Sequence, residues 1–301
     1  MTRLFSDEAL RGLARSPHEQ VADAIAEGDA DAIRDLATTL ERSFVGTVEG
    51  TRNWVTHTIA FVARERPAED LAGLIAASQE MFSVHPDPVG RGTEHTGRVA
   101  PFVAMLAARG EADAALARFD AMEDWWRRLQ DLYRDWLSVL LSHIYRTFGI
   151  DELDACLRDS AERTLFSWMP VDMARPPERR LPSWARMFHG HFSGLRIEED
   201  DEKFTLVQDP CGTCSRQIAQ GRYGPPLNLA VITESHPATW FRGETPIYRA
   251  HVPVWHIELA RERVGVPWPV NQCPAGMGTG PCRVLLYKDP LDPRAQEQVP
   301  T

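Results

Sequence analysis

The residues of this chain best suited to chemistry are cysteines and histidines crowded into its last third. Cys211 and Cys214 stand in DPCGTCSR, His236 in TESHP, and His251 and His256 in YRAHVPVWH. Cys273 in NQCP and Cys282 in GPCRVLLYK complete the group. Thiolate and imidazole together suit zinc, or another borderline-soft ion such as iron. The C-x-x-C pair contains Gly212, which permits a tight knuckle that turns two sulfurs toward one ion. Buried inert thiols or a redox C-x-x-C would use the same residues. So would a metal-free mechanism in which Cys211 is a nucleophile activated by a neighbouring histidine. The chain has five cysteines, an odd number, which argues against a disulfide framework.

Other groups could assist. His189 and His191 form an H-x-H that is expected to enter a strand, with both rings on one face, as ligands or as a general base. Glu234, two residues before His236, could act as general acid or base. Glu234 and His191 are therefore the candidate catalytic residues. Arg216 could hold a substrate carboxylate. Tyr287 and Lys288 follow Cys282 on an expected strand, so at most one of them faces the site. The Gly-rich AGMGTG, 275–280, lacks a strand–helix frame for phosphate and reads as a loop that carries Cys282 to the site.

The succession Asp209-Pro210-Cys211-Gly212, Thr233 with His236, Tyr248 with His251, and Pro281-Cys282 with Tyr287-Lys288 resembles a family of uncharacterised bacterial proteins. It covers residues 189–290. A more distant likeness is to thiazoline-carboxylate hydrolase-like proteins. The first resemblance implies Cys211, His236, His251 and Cys282 as the metal ligands, with Cys214, His256 and Cys273 as second choices. This chain carries Arg249 and Val252 where that pattern has cysteines, and adds Cys214.

These residues need elements to position them, and the chain divides into two textures. Residues 1–166 read as successive amphipathic helices rich in Ala, Leu, Glu and Arg. A shift of 82 residues lays Gly28 on Gly110, Ala30-Asp31-Ala32 on Ala112-Asp113-Ala114, and Trp54 on Trp136. Two copies of a three-helix unit are expected, over 18–80 and 100–162, joined by HPDPVGRGTEHTG, 85–97. Trp54 and the other tryptophans of this half are expected to be packing residues. Residues 167–187, rich in Pro and Arg, read as an inter-domain linker. Residues 188–301 alternate as strands around an acidic turn, with a helix over VPVWHIELARERVG and a strand at CRVLLYK. The fold class is thus α+β: a helical bundle followed by a small Cys/His domain.

With 301 residues and 43% hydrophobic content the chain can bury a core. A net charge of −10 argues against nucleic acid, which requires clustered Lys and Arg. No long apolar run suggests a membrane span, and the N-terminus lacks the apolar stretch of a signal peptide, so a cytoplasmic location is expected. The expected function is a zinc- or iron-dependent enzyme acting on a small molecule in a pocket between the two halves. Its chemistry is hydrolase- or lyase-type with zinc and oxygenase-type with iron. The alternatives are a scaffold with a structural zinc and a metal-free Cys-nucleophile hydrolase. Three protein ligands beside a cleft favour the enzyme; four ligands and no pocket favour the scaffold.

Overall fold

A computed structural model of the chain describes residues 3–85 and 99–299. The connector expected over 85–97 lies outside them, apart from His85. Two short helices, α1 (Asp7–Ala14) and α2 (Pro17–Glu27), precede the long α3 (Ala30–Glu65) and then α4 (Ala68–Val84). Then come α5 (Val99–Ala108), the equally long α6 (Ala112–Phe148) and α7 (Ile150–Arg163). Ser16 opens α2 with a reciprocal capping box to Glu19, and Gly28 closes it in the left-handed conformation. Gly110, 82 residues on, adopts the same positive φ before α6. The starts of α3 and α6, and of α4 and α7, are also 82 residues apart. The two long helices pack side by side at the centre of the bundle.

The segment expected as a linker, 167–187, is instead helical. It forms α8 (Met169–Met173) and most of α9 (Pro177–Gly190). Pro177 occupies the first turn, where a missing N–H costs nothing. α9 lies against α3, and its last residue, Gly190, sits where a Cβ would be 2.6 Å from the Thr47 hydroxyl. His189 and His191 are therefore at a helix end, not on a strand. Two residues apart on a helix, they point in opposite directions.

The remainder is an α+β unit. β1 (Leu195–Glu199) and β2 (Lys203–Gln208) form the expected hairpin, followed by α10 (Cys214–Ala219). β3 (Val231–Ile232) and β4 (Thr245–Pro246) make a separate two-stranded ribbon. A helical stretch follows, made of α11 (His251–Pro253), a π-helical turn (Val254–Leu259) and α12 (Ala260–Val264), and Gly265 ends it with positive φ. β5 (Val270–Gln272) and β6 (Cys282–Tyr287) complete a four-stranded antiparallel sheet of order β1-β2-β6-β5. One hydrophobic core runs through both halves, from Trp54 and Leu137 through Trp184 to Phe204 and Leu286. No helix among the described residues is long and apolar enough to cross a membrane.

Candidate metal centre and cavity

The sheet register creates the thiol cluster. β2 pairs with β6 so that Gln208 faces Cys282, and the knuckle 211–214 begins just beyond Gln208. The turn can fold back because residue 212 is glycine: a Cβ there would lie 1.9 Å from the His191 carbonyl oxygen. The Gly212 N–H donates to the Ser193 hydroxyl at 2.9 Å, and that hydroxyl donates to Gln208 Oε1 at 3.1 Å. The ligand atoms of Cys211, Cys214 and Cys282 lie within 4.8 Å of one another, and all three residues are buried. This cluster could hold a metal ion. In a tetrahedral zinc site with Zn–S bonds near 2.3 Å, sulfurs stand about 3.8 Å apart, so closing on an ion takes under about 1 Å of movement.

The electrostatics fit that use. Cys214 and Cys282 both hydrogen-bond to the Cys211 sulfur, which holds the Cys211 thiol well below its ordinary pKa. The same contact raises Cys214 and Cys282, since each would ionise against a charge already present. Three thiolates together need a cation. One fixed charge is close: Arg249, buried on the turn before α11, hydrogen-bonds to Cys214. Its guanidinium also donates to the carbonyls of Pro274 (2.7 Å), Gly276 (2.6 Å) and Gly278 (3.0 Å). The loop 275–280 is thereby tied down beside the cluster. Arg249, noted in the sequence only as a departure from the bacterial pattern, is the residue that organises this side of the site.

The three cysteines also line a cavity of about 670 Å³ between α3, α9 and the helical stretch that begins at His251. Three histidines line it: His191, His251 and His256. In an α-helix, residues five apart point about 140° away from each other. The π turn closes its hydrogen bonds five residues on instead, which brings His251 and His256 to one face, ring centroids 6.3 Å apart. Nδ1 of His251 faces the Tyr248 carbonyl at 2.5 Å, and Nδ1 of His256 faces the Trp268 carbonyl at 3.1 Å. A carbonyl only accepts, so these nitrogens carry the protons and each Nε2 keeps its lone pair. Burial pushes His191 and His256 down to about 4 and His251 to about 3, so all three rings are neutral at pH 7.

Those rings tie stability to acid. In the unfolded chain they take up protons near their ordinary value of 6.5, whereas the folded rings resist until about 4 or below. Their contribution is complete above pH 6.5 and is lost as pH falls through about 4 to 3. The metal-free protein is expected to melt several degrees lower at about pH 5 than at about pH 7, measured by circular dichroism in chelator. Replacing His256 with Asn should remove part of that difference; an unchanged acid sensitivity would contradict the assignment.

Two expected site residues lie elsewhere. His236 is not in the thiol cluster and does not line the cavity. It caps the turn 237–239, where Nδ1 accepts from the Ala238 N–H at 3.1 Å, and its Nε2 lies 3.5 Å from Asp151. Glu234 is exposed and accepts from the Tyr145 hydroxyl. The reason is topological: β3 pairs with β4 and not with the main sheet, so residues 233–236 run along α6 and α7. Of the four ligands implied by the resemblance, Cys211 and Cys282 are brought together, with Cys214 and not His236 beside them, and His251 lines the adjoining cavity. Cys273 also lines the cavity. Arg216 is engaged by Asp131 at 2.7 Å, His189 by the Leu13 carbonyl at 3.0 Å, and Lys288 by Glu199 at 2.8 Å. Trp54, expected as packing alone, is both core and cavity wall, its ring centroid 4.3 Å from that of Trp255 with the planes tilted by 43°.

Comparison with family models, with curated proteins and with solved structures finds no match for the chain.

Proposed function

We propose that this chain is a zinc-dependent enzyme acting on a small molecule, with Cys211, Cys214 and Cys282 as protein ligands and the fourth position open to the cavity. The observation that carries this reading is the convergence of three buried thiols on the wall of a 670 Å³ cavity. A closed structural site needs four protein ligands and no substrate space, so the scaffold reading is less favoured. Three soft sulfurs, with no carboxylate lining the cavity among the described residues, favour zinc over the histidine–carboxylate environment of oxygen-activating iron. Bound zinc would supply a Lewis acid that polarises a substrate oxygen or acidifies a water.

The chain's own groups have defined parts. Arg249 offsets the negative charge of the trithiolate and holds the loop that leads to Cys282. His191 and His251, neutral at pH 7, are the groups able to accept a proton beside Cys211. Trp54 and Trp255 present an apolar wall that limits water.

Elemental analysis of protein purified without chelator tests the reading, with one zinc per chain as the expected result. Cobalt-substituted protein should show intense sulfur-to-metal charge-transfer absorption. The lowered pKa of Cys211 favours a second reading, a metal-free thiolate nucleophile. Protein lacking metal but alkylated selectively at Cys211 near neutral pH would replace the first reading with the second.

A further inference from the structure

We infer that the cavity takes an organic anion: an apolar or aromatic body whose acidic group is held at the mouth by Arg186 and Arg163. This rests on the same cavity as the proposed zinc site, but on residues remote from the sulfurs.

The charge of the wall is the first observation. The chain has 43 Asp and Glu against 33 Lys and Arg, yet no carboxylate lines this cavity among the described residues. Its charged lining consists of two arginines besides the thiols. Arg186, on the exposed side of α9, has no ion-pair or hydrogen-bond partner among the described residues. Arg163, at the end of α7, reaches Asp159 only at 3.4 Å, and that carboxylate is already held by Arg64 at 2.9 Å. Of the two, only Arg163 has an acidic contact, a weak one; both arginines are exposed, whereas the three cysteines are buried. A guanidinium presents a planar fork matched to a carboxylate or to a phosphonate.

The walls give the second observation. From α9, Trp184, Met187 and Phe188 point inward, and Trp168 and Trp255 add aromatic faces. To the same lining α3 contributes small residues, including Gly46 and Gly50. Each glycine costs about 1 kcal/mol in a helix interior relative to Ala. A Cβ at either would meet nothing within 4 Å. The helix backbone therefore leaves space along the cavity that larger side chains would occupy. The lining thus combines aromatic faces, a glycine-bearing helix, two exposed arginines and buried thiols.

Tryptophan fluorescence reports binding directly, because four tryptophans line the cavity. The probes are 3-phenylpropanoate, phenylphosphonate and neutral 3-phenylpropanamide, titrated into the purified full chain with zinc content measured on the same samples. At least one anion is expected to bind about ten-fold or more tightly than the amide, a difference of about 1.4 kcal/mol. The ratio of the two anions distinguishes a carboxylate from a phosphonate substrate. Arg163→Gln combined with Arg186→Gln should abolish the preference and leave zinc content unchanged. Gly50→Leu should weaken all three probes without lowering the melting temperature. Equal binding of acid and amide, a preference that survives the double substitution, or no saturable quenching by any probe would each overturn the inference. Loss of the zinc reading would appear separately, as absent metal in samples that still discriminate between the probes.

Discussion

Cys211→Ser and Cys282→Ser are each expected to reduce zinc affinity by at least about 100-fold. Loss of a supporting contact outside the ligand set already costs 10- to 100-fold at metal sites, and these substitutions remove a ligand itself. Serine keeps the size and the hydrogen-bonding capacity of the side chain, so the fold should persist while the soft donor disappears. Cys156→Ser is the control. Cys156 is buried in α7, where burial raises its thiol to about 12, far from the cluster in sequence and with no part in it. Competition of each variant with a chromogenic chelator gives the affinities. His236→Ala should bind zinc like the unaltered chain, which separates the thiol cluster from the ligand set implied by the bacterial resemblance. Unchanged affinity in Cys211→Ser and Cys282→Ser would remove the metal centre altogether.

The second large effect is expected at a residue that touches neither metal nor substrate. Asp135, fully buried on α6, receives Arg222 at 2.9 Å, Gln217 at 2.8 Å, His85 at 3.1 Å and Arg134 at 3.2 Å. Burial alone would raise its pKa; Arg134, the His85 hydrogen bond and Gln217 outweigh that and hold it below the ordinary value. Arg134, itself fully buried, donates onward to the Thr213 carbonyl within the knuckle at 3.2 Å. Asp135→Ala takes the carboxylate from Arg222 and leaves Arg134 only Asp131, at 3.0 Å, which Arg216 also uses; it is expected to cost about 3–5 kcal/mol. Asp124→Ala removes an exposed pair with Arg127 and Arg128 and should cost less than about 1 kcal/mol. Urea denaturation of both variants decides the point. Comparable losses would mean that the buried network does not carry the junction between α6 and α10.

Local signals in the sequence carried far. The acidic turn of the β1–β2 hairpin and the C-x-x-C knuckle each depend on neighbours within a few residues, and each appears where its pattern predicted. The errors came from residues whose meaning is set at a distance. Pro176-Pro177 looked like a linker, although proline at the first helical position is also a start signal, and α9 begins there. That one substitution of helix for linker moved His189 and His191 off a strand and onto opposite sides of a helix end. His236 and Glu234 followed a motif, but their ribbon pairs away from the sheet that bears the sulfurs. Arg249 gave no local sign, because its partners are carbonyls some thirty residues later and a sulfur from another loop. The π turn that aligns His251 with His256 likewise has no short-range signature.

The pairing of Gln208 with Cys282 has a consequence for the order of events during synthesis. The first two sulfurs leave the ribosome roughly seventy residues before the third, and closing a chain segment of that length costs about 4 kcal/mol in entropy. A nascent chain that has exposed only the C-x-x-C pair offers an ion two donors and weak retention. The third donor arrives only when β6 has inserted between β2 and β5. Capture of the ion thus marks the closing of the sheet, and a chain stalled or cut before β6 carries an incomplete binding site.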